Sequence, residues 1–212
     1  MLNKARTRHK SRYFLIIFTF LYTISCTNTF IINNNMQDLL NLESEILTDI
    51  KDYDEAIVIV IEDQKLYYLK KGTVISTYTI SSSKYGIGSK ENSYKTPLGR
   101  HKVSEKIGED LPLGAIFKAR QWSGSLANII KEPLDTDLDL VTSRILWLEG
   151  QELGKNRGPG VDSKKRFIYI HGTAEEGLIG IPASDGCIRM YNSDVIELFN
   201  KTKIGTEVWI YK

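Results

Sequence analysis

"AIVIVIEDQKLYYLKKGTVISTYTIS" (residues 56–81) is the stretch whose reading decides the fold. "AIVIVI" is a continuous run of mostly β-branched residues, the composition of a strand. Asp63 and Gln64 separate it from "KLYYLK", so the two runs read as a hairpin. "GTVISTYTIS" (72–81) then alternates apolar and polar residues after a glycine turn. Three strands in succession, with no helix between them, exclude an alternating β-α-β start.

The remainder extends the same theme. "SSSKYGIGSKENSYKTPLG" (81–99) is rich in Ser, Gly, Lys and Asn and reads as a long loop. Residues 100–108 read as a strand. Its His101, between Arg100 and Lys102, is expected to be a surface residue. From 109 to 160 the pattern is weak: "LPLGAIFKARQWSGS" has room for a short strand, "KEPLDTDLDL" is acidic and turn-like, and 154–160 is a loop. "VTSRILWLEG" (141–150) reads as a buried strand and "RFIYIHG" (166–172) as a strong strand ending at His171. "NSDVIELFNKTK" (192–203) opens with an Asn/Ser cap and shows helical spacing through Val195, Ile196, Leu198 and Phe199. "GTEVWIYK" closes the chain as a strand. The sum is a mainly β protein, a sandwich or barrel with one or two short helices.

The N-terminus reads as a separate segment. Lys4, Arg6, Arg8, Lys10 and Arg12 precede the apolar stretch "YFLIIFTFLYTI" (13–24), which matches a secretory signal and is short for a membrane span. "TISC" resembles the end of a bacterial lipoprotein signal, with Cys26 as the lipidated residue; Thr23 departs from that pattern. Residues 27–52 read as a spacer followed by a short amphipathic helix over Met36–Ile50. Loss of residues 1–26 removes five Lys/Arg and no acid, leaving 23 basic and 26 acidic residues. No basic stripe remains to point to nucleic acid.

The chain has two cysteines, Cys26 and Cys187. If Cys26 is cleaved off or lipidated, Cys187 has no intramolecular partner. Its candidate roles are an intermolecular disulfide, a small buried hydrophobe, a metal ligand or a nucleophile. Zinc-type ligand spacing is absent. A nucleophilic thiol needs a base, and His171, at a strand end 16 residues earlier, can supply one. In "PASDGCIRMYN" (182–192), Asp185-Gly186 is a turn signal and Gly186 tolerates a positive φ. Such a turn exposes the thiol and can aim the N–H groups of Gly186 and Cys187 at a developing oxyanion. Arg189 is a candidate to hold a substrate carboxylate; the structural alternative pairs it with Asp185 or Glu197. Ser184, Tyr191 and Asn192 are candidate pocket neighbours. Trp122 and Trp147 are read as lid or core residues.

"IYIHGT…IGIPASDGCIRMYN" closely resembles the signature of the L,D-transpeptidases, the YkuD-type family. That signature is a His-Gly pair followed by Ser/Thr-His-Gly-Cys, with an arginine two places on. "KTPLG" (95–99), the opening strands and "GTEVWI" resemble further family elements, and the likeness spans about residues 53–212. Asp185 stands where the family often has histidine, with three readings: it holds the turn, pairs with Arg189 or modulates His171.

The resemblance implies a peptidoglycan enzyme. Cys187 is the nucleophile, His171 the general acid/base, and the Gly172 carbonyl orients the imidazole. Gly186 contributes to the oxyanion site, and Arg189, Ser184, Asp185 and Asn192 bind substrate. A stem tetrapeptide would lose D-Ala and be joined to a second stem as a 3→3 cross-link; water as acceptor would give an L,D-carboxypeptidase. Rivals are a sortase-like transpeptidase and an inactive wall-binding module. No metal or organic cofactor is expected. The protein is read as an exported monomer of the periplasm or envelope, meeting the membrane only through its N-terminal signal or lipid.

Overall fold

The structure, a computed structural model, describes residues 48–136 and 138–212. The signal segment and Cys26 lie outside these residues, as does most of the expected helix over 36–50. Residues 48–50 are helical, with Ile50 buried.

The strands are β1 (Glu55–Val60), β2 (Lys65–Lys70), β3 (Thr73–Ser81), β4 (Gly99–Ile107), β5 (Ala115–Lys118), β6 (Gln121–Leu126), β7 (Val141–Gly150), β8 (Tyr169–Thr173), β9 (Ile188–Met190) and β10 (Glu207–Tyr211). One α-helix, α1 (Asn192–Lys201), and a 3-10 turn at Glu176–Leu178 lie among them. The sheet runs β4-β10-β1-β2-β3-β9-β8-β7-β5-β6, and β7 also pairs with β4. The strands from β4 round to β7 therefore close into a ring, with β5 and β6 as a hairpin outside it. This ring is the barrel option of the sequence reading, and closure removes most sheet edges. Pairing is antiparallel except for β1 with β10 and β8 with β9.

Alternation places the core. Ile57 and Ile59 of β1, Leu66 and Tyr68 of β2, Ile170 of β8, Ile188 and Met190 of β9 and Val208 and Ile210 of β10 form one buried cluster. Val195, Leu198 and Phe199 of α1 join it. Each such side chain contributes about 1.5–3 kcal/mol by leaving water.

Four local expectations are corrected. The first hairpin turn is wider than Asp-Gln: Ile61 leaves the strand, and Gln64 takes a positive φ of 49° while donating to Ile61 O and Ser82 Oγ. Strand β8 begins at Tyr169, not 166, because Phe167 turns the backbone to φ 58°. The side chain at the start of α1 does not cap it: Tyr191 occupies the N-cap, and no side-chain cap bond forms. His101 is not at the surface. It pairs with Val208 on one side and Gly150 on the other, so it sits inside the ring closure and is fully buried.

Candidate active site

Strands β8 and β9 lie side by side, with Ile170 opposite Ile188 and His171 opposite Arg189. Ile170, Ile188 and Met190 enter the main core. By alternation, Tyr169, His171, Cys187 and Arg189 occupy the other face. There Cys187 packs against a second cluster of Phe117, Ile145 and Tyr169.

The Cys187 thiol is half-buried and free. Its Sγ receives the Tyr169 N–H at 3.4 Å and faces the Phe167 carbonyl at 3.3 Å. The Tyr169 ring stands edge-on to His171, with centroids 6.4 Å apart, and edge-on to Trp147 at 5.6 Å. His171 is buried, and its Nδ1 lies 2.7 Å from the carbonyl oxygen of Gly172. That contact assigns the proton to Nδ1 and leaves the Nε2 lone pair available as a base. A Cβ on Gly172 would fall 2.6 Å from Asn192 Oδ1 and 2.9 Å from Thr142 O, so only glycine fits.

Burial sets the electrostatics. It drives His171 below the ordinary histidine range, against the charge of Asp139 and the Gly172 carbonyl, which favour the proton. It also pushes the Cys187 thiol up to about 12, with the Tyr169 N–H pulling the other way and Asp139 adding to the rise. Burial thus favours a neutral thiol at Cys187 and a neutral imidazole at His171.

The turn before Cys187 is knotted. Gly186 has φ 120°, Ser184 Oγ donates to Cys187 O at 2.6 Å, and the Gly186 N–H donates to Ser184 Oγ at 3.2 Å. The Gly186 N–H is therefore already engaged and does not point free beside that of Cys187, contrary to expectation. Asp185 is exposed and lies 3.6 Å from Lys84, which also meets Asp135 at 3.4 Å. It pairs with Lys84, not Arg189.

Three expected substrate contacts are instead part of the framework. Arg189 is fully buried: it pairs with Glu175 and donates to Thr173 Oγ1 at 2.8 and 3.1 Å and to Ala183 O at 3.1 Å. Neither Asp185 nor Glu197 is its partner. Its donors are consumed inside the protein, so the expectation that it grips a substrate carboxylate is corrected. Asn192 is buried, donating to Thr173 O and Glu176 and accepting from Thr142 and Ser143 hydroxyls. Ser184 is spent on the turn. Trp147 is part of the site wall, with its Nε1 donating to Lys164 O, whereas Trp122 is exposed on β6.

Sequence reasoning missed Asp139, Tyr169, Glu175 and Arg166. Tyr169 was readable two places before His171 on the same face. Asp139 and Arg166 carried no signal, since each is one charge among several in loop-like stretches. Among the described residues, no three His, Cys, Asp or Glu side chains gather to hold a metal ion. A cavity of about 480 Å³, lined by Arg100, Glu152, Lys155 and Trp209, shares no residue with this site.

The profile of the L,D-transpeptidase catalytic domain, YkuD, matches residues 54–210. The chain is 27% identical over 155 residues to the protein named "Probable L,D-transpeptidase YbiS" of Escherichia coli (strain K12), covering 73% of this chain and 44% of that one. The matched region spans less than half of each curated relative, 31% and 40% in two from Bacillus subtilis (strain 168). L,D-transpeptidase 3 from Mycobacterium tuberculosis, solved with a faropenem-derived adduct, shares 16% identity at a TM-score of 0.47, covering 75% of this chain and 60% of that one. The Enterococcus faecium L,D-transpeptidase C442S mutant shares 20% at 0.46, covering 75% and 50%. With its profile matched across the whole ring of strands, the chain belongs to the L,D-transpeptidase (YkuD) catalytic-domain family.

Proposed function

We propose that the protein forms 3→3 cross-links in peptidoglycan through an acyl-enzyme on Cys187. The observation that carries this reading is the juxtaposition on one sheet face. His171, its Nδ1 held by Gly172 O at 2.7 Å, stands on the strand beside the one Cys187 leads into, and the thiol lies 3.4 Å from the Tyr169 N–H.

The tetrapeptide carbonyl enters beside Sγ. His171 takes the thiol proton as sulfur attacks, so a thiolate is generated only when substrate is present. The rise of the Cys187 pKa through burial makes this coupling necessary. The negative oxygen draws on backbone N–H groups near Cys187. His171 then protonates the departing D-Ala amine, and a thioester remains. A second stem's side-chain amine resolves it. Arg166 is half-buried and donates to Lys95 O at 2.7 Å, and its charge favours the Cys187 thiolate. Export by the N-terminal segment, with Cys26 as a lipid site, suits a substrate outside the cytoplasm.

Purified protein incubated with disaccharide-tetrapeptides should release D-Ala and form dimers, both followed by mass spectrometry. Cys187→Ala should abolish both. Equal D-Ala release from the variant and the wild type would sink the reading. Tripeptide without dimer would make the protein an L,D-carboxypeptidase.

A further inference from the structure

We propose that Asp139 is the residue that receives the cationic side-chain amine of the acceptor stem peptide. The proposal rests on the transpeptidase reading and assigns the group that selects an amine over water in its second half.

Asp139 lies just before β7, 3.6 Å through its Oδ1 from Arg189 Nε. That distance exceeds a hydrogen bond, and Arg189 Nε already donates to Thr173 Oγ1 at 3.1 Å. Arg189 is also neutralised by the buried Glu175. Asp139 is therefore not needed to balance the arginine. Its Oδ1 is shut off from solvent and has no hydrogen-bond donor among the described residues. That oxygen is turned inward toward Arg189, so the 35% exposure of the side chain belongs to its outward side, and it is there that a cation can approach the carboxylate.

The charge suits the second half-reaction and not the first. A carboxylate acting on Cys187 opposes thiolate formation. Once the sulfur is acylated that objection disappears. An amine attacking a thioester develops positive charge, and its proton passes to His171, which the same carboxylate favours in protonated form.

The acceptor binds as an ammonium and releases one proton to solvent. The free amine attacks the thioester carbon, the C–N bond forms and the C–S bond breaks. The second amine proton moves to His171 and on to the Cys187 sulfur. The products are the amide, the thiol and one released proton.

Wild type, Asp139→Asn and Asp139→Glu are compared on disaccharide-tetrapeptides, reading dimer formed per D-Ala released. The ratio should fall about tenfold in Asp139→Asn, the scale of one charge-assisted hydrogen bond, with tripeptide in its place. Asp139→Glu should recover part of it. Added hydroxylamine, a nucleophile that is neutral at neutral pH, should yield hydroxamate per D-Ala equally in wild type and Asp139→Asn. Asp139→Ser replaces the amide variant if that does not fold. An unchanged dimer ratio overturns the proposal. So does a wild type that yields tripeptide alone, or an equal loss of hydroxamate and dimer. A wild type that releases no D-Ala overturns the underlying transpeptidase reading instead.

Discussion

At the scale of single residues, His101 carries the sharpest consequence. Its ring is enclosed, with Nδ1 2.9 Å from Gly99 O and Nε2 2.9 Å from Ser163 Oγ. Burial lowers its pKa from the ordinary 6.5 to about 4. The folded state therefore excludes a proton that the unfolded chain accepts. Its contribution to stability is complete above pH 6.5 and is lost as pH falls toward 4, to a maximum of about 3 kcal/mol. Urea titrations across this window should show a shallower loss in His101→Gln than in wild type. Parallel slopes would show that His101 does not set acid lability. Its burial was hidden in the sequence because Arg100 and Lys102 flank it. In a strand those neighbours point the other way, and Arg100 lies over Trp209 and bonds Glu207 on that opposite face.

At the scale of elements, the pair of strands β8 and β9 is fastened to the segments around it by Arg189 and Glu175. Both side chains are buried, so removing Arg189 leaves the Glu175 carboxylate with its Thr136 donors but without its cation. Arg189→Met should reduce unfolding stability by about 3–5 kcal/mol, and Arg189→Met with Glu175→Met should lose less than the single change. Denaturant unfolding of the three proteins checks this. A residue that merely gripped substrate would leave stability intact. The same region holds a bulge in β7, where the register shifts between Thr142 and Ile145 and Ser143 adopts φ 61°. The bulge turns the Thr142 and Ser143 hydroxyls toward Asn192 Oδ1, which ties α1 to the strands. The ten residues of β7 were legible as a strand, since their apolar pattern is local. The bulge was not legible, because it exists to satisfy Asn192, fifty positions away.

At the scale of the whole molecule, closure of the ring depends on the seam between β4 and β7. Gly150 lies there, opposite His101, and a Cβ on it would fall 2.0 Å from the Asn156 carbonyl oxygen. Asn156 in turn donates to Leu98 O and Arg100 O. Gly150→Ala should destabilise the protein by about 3 kcal/mol or more, read as a lower unfolding midpoint. An unaltered midpoint would mean the seam can spread without penalty. The site lies on β8, the strand next to β7, where Ile145 pairs with His171, whereas Gly150 is the last residue of β7.

The sequence by itself determined the mainly β class, most of the strands and α1, and the family signature around His171 and Cys187. These rest on alternation, turn chemistry and a short motif, all of which act between near neighbours. Only the tertiary structure decided that the sheet closes, that His101 is enclosed and that Asp185 meets Lys84. It also turned Arg189 inward to Glu175 and brought Asp139 to 3.6 Å from Arg189 with an inward oxygen that has no hydrogen-bond donor among the described residues. Those outcomes depend on strand register and on which remote segments share a face. No single stretch of chain encodes the electrostatic partner that another stretch will bring to it.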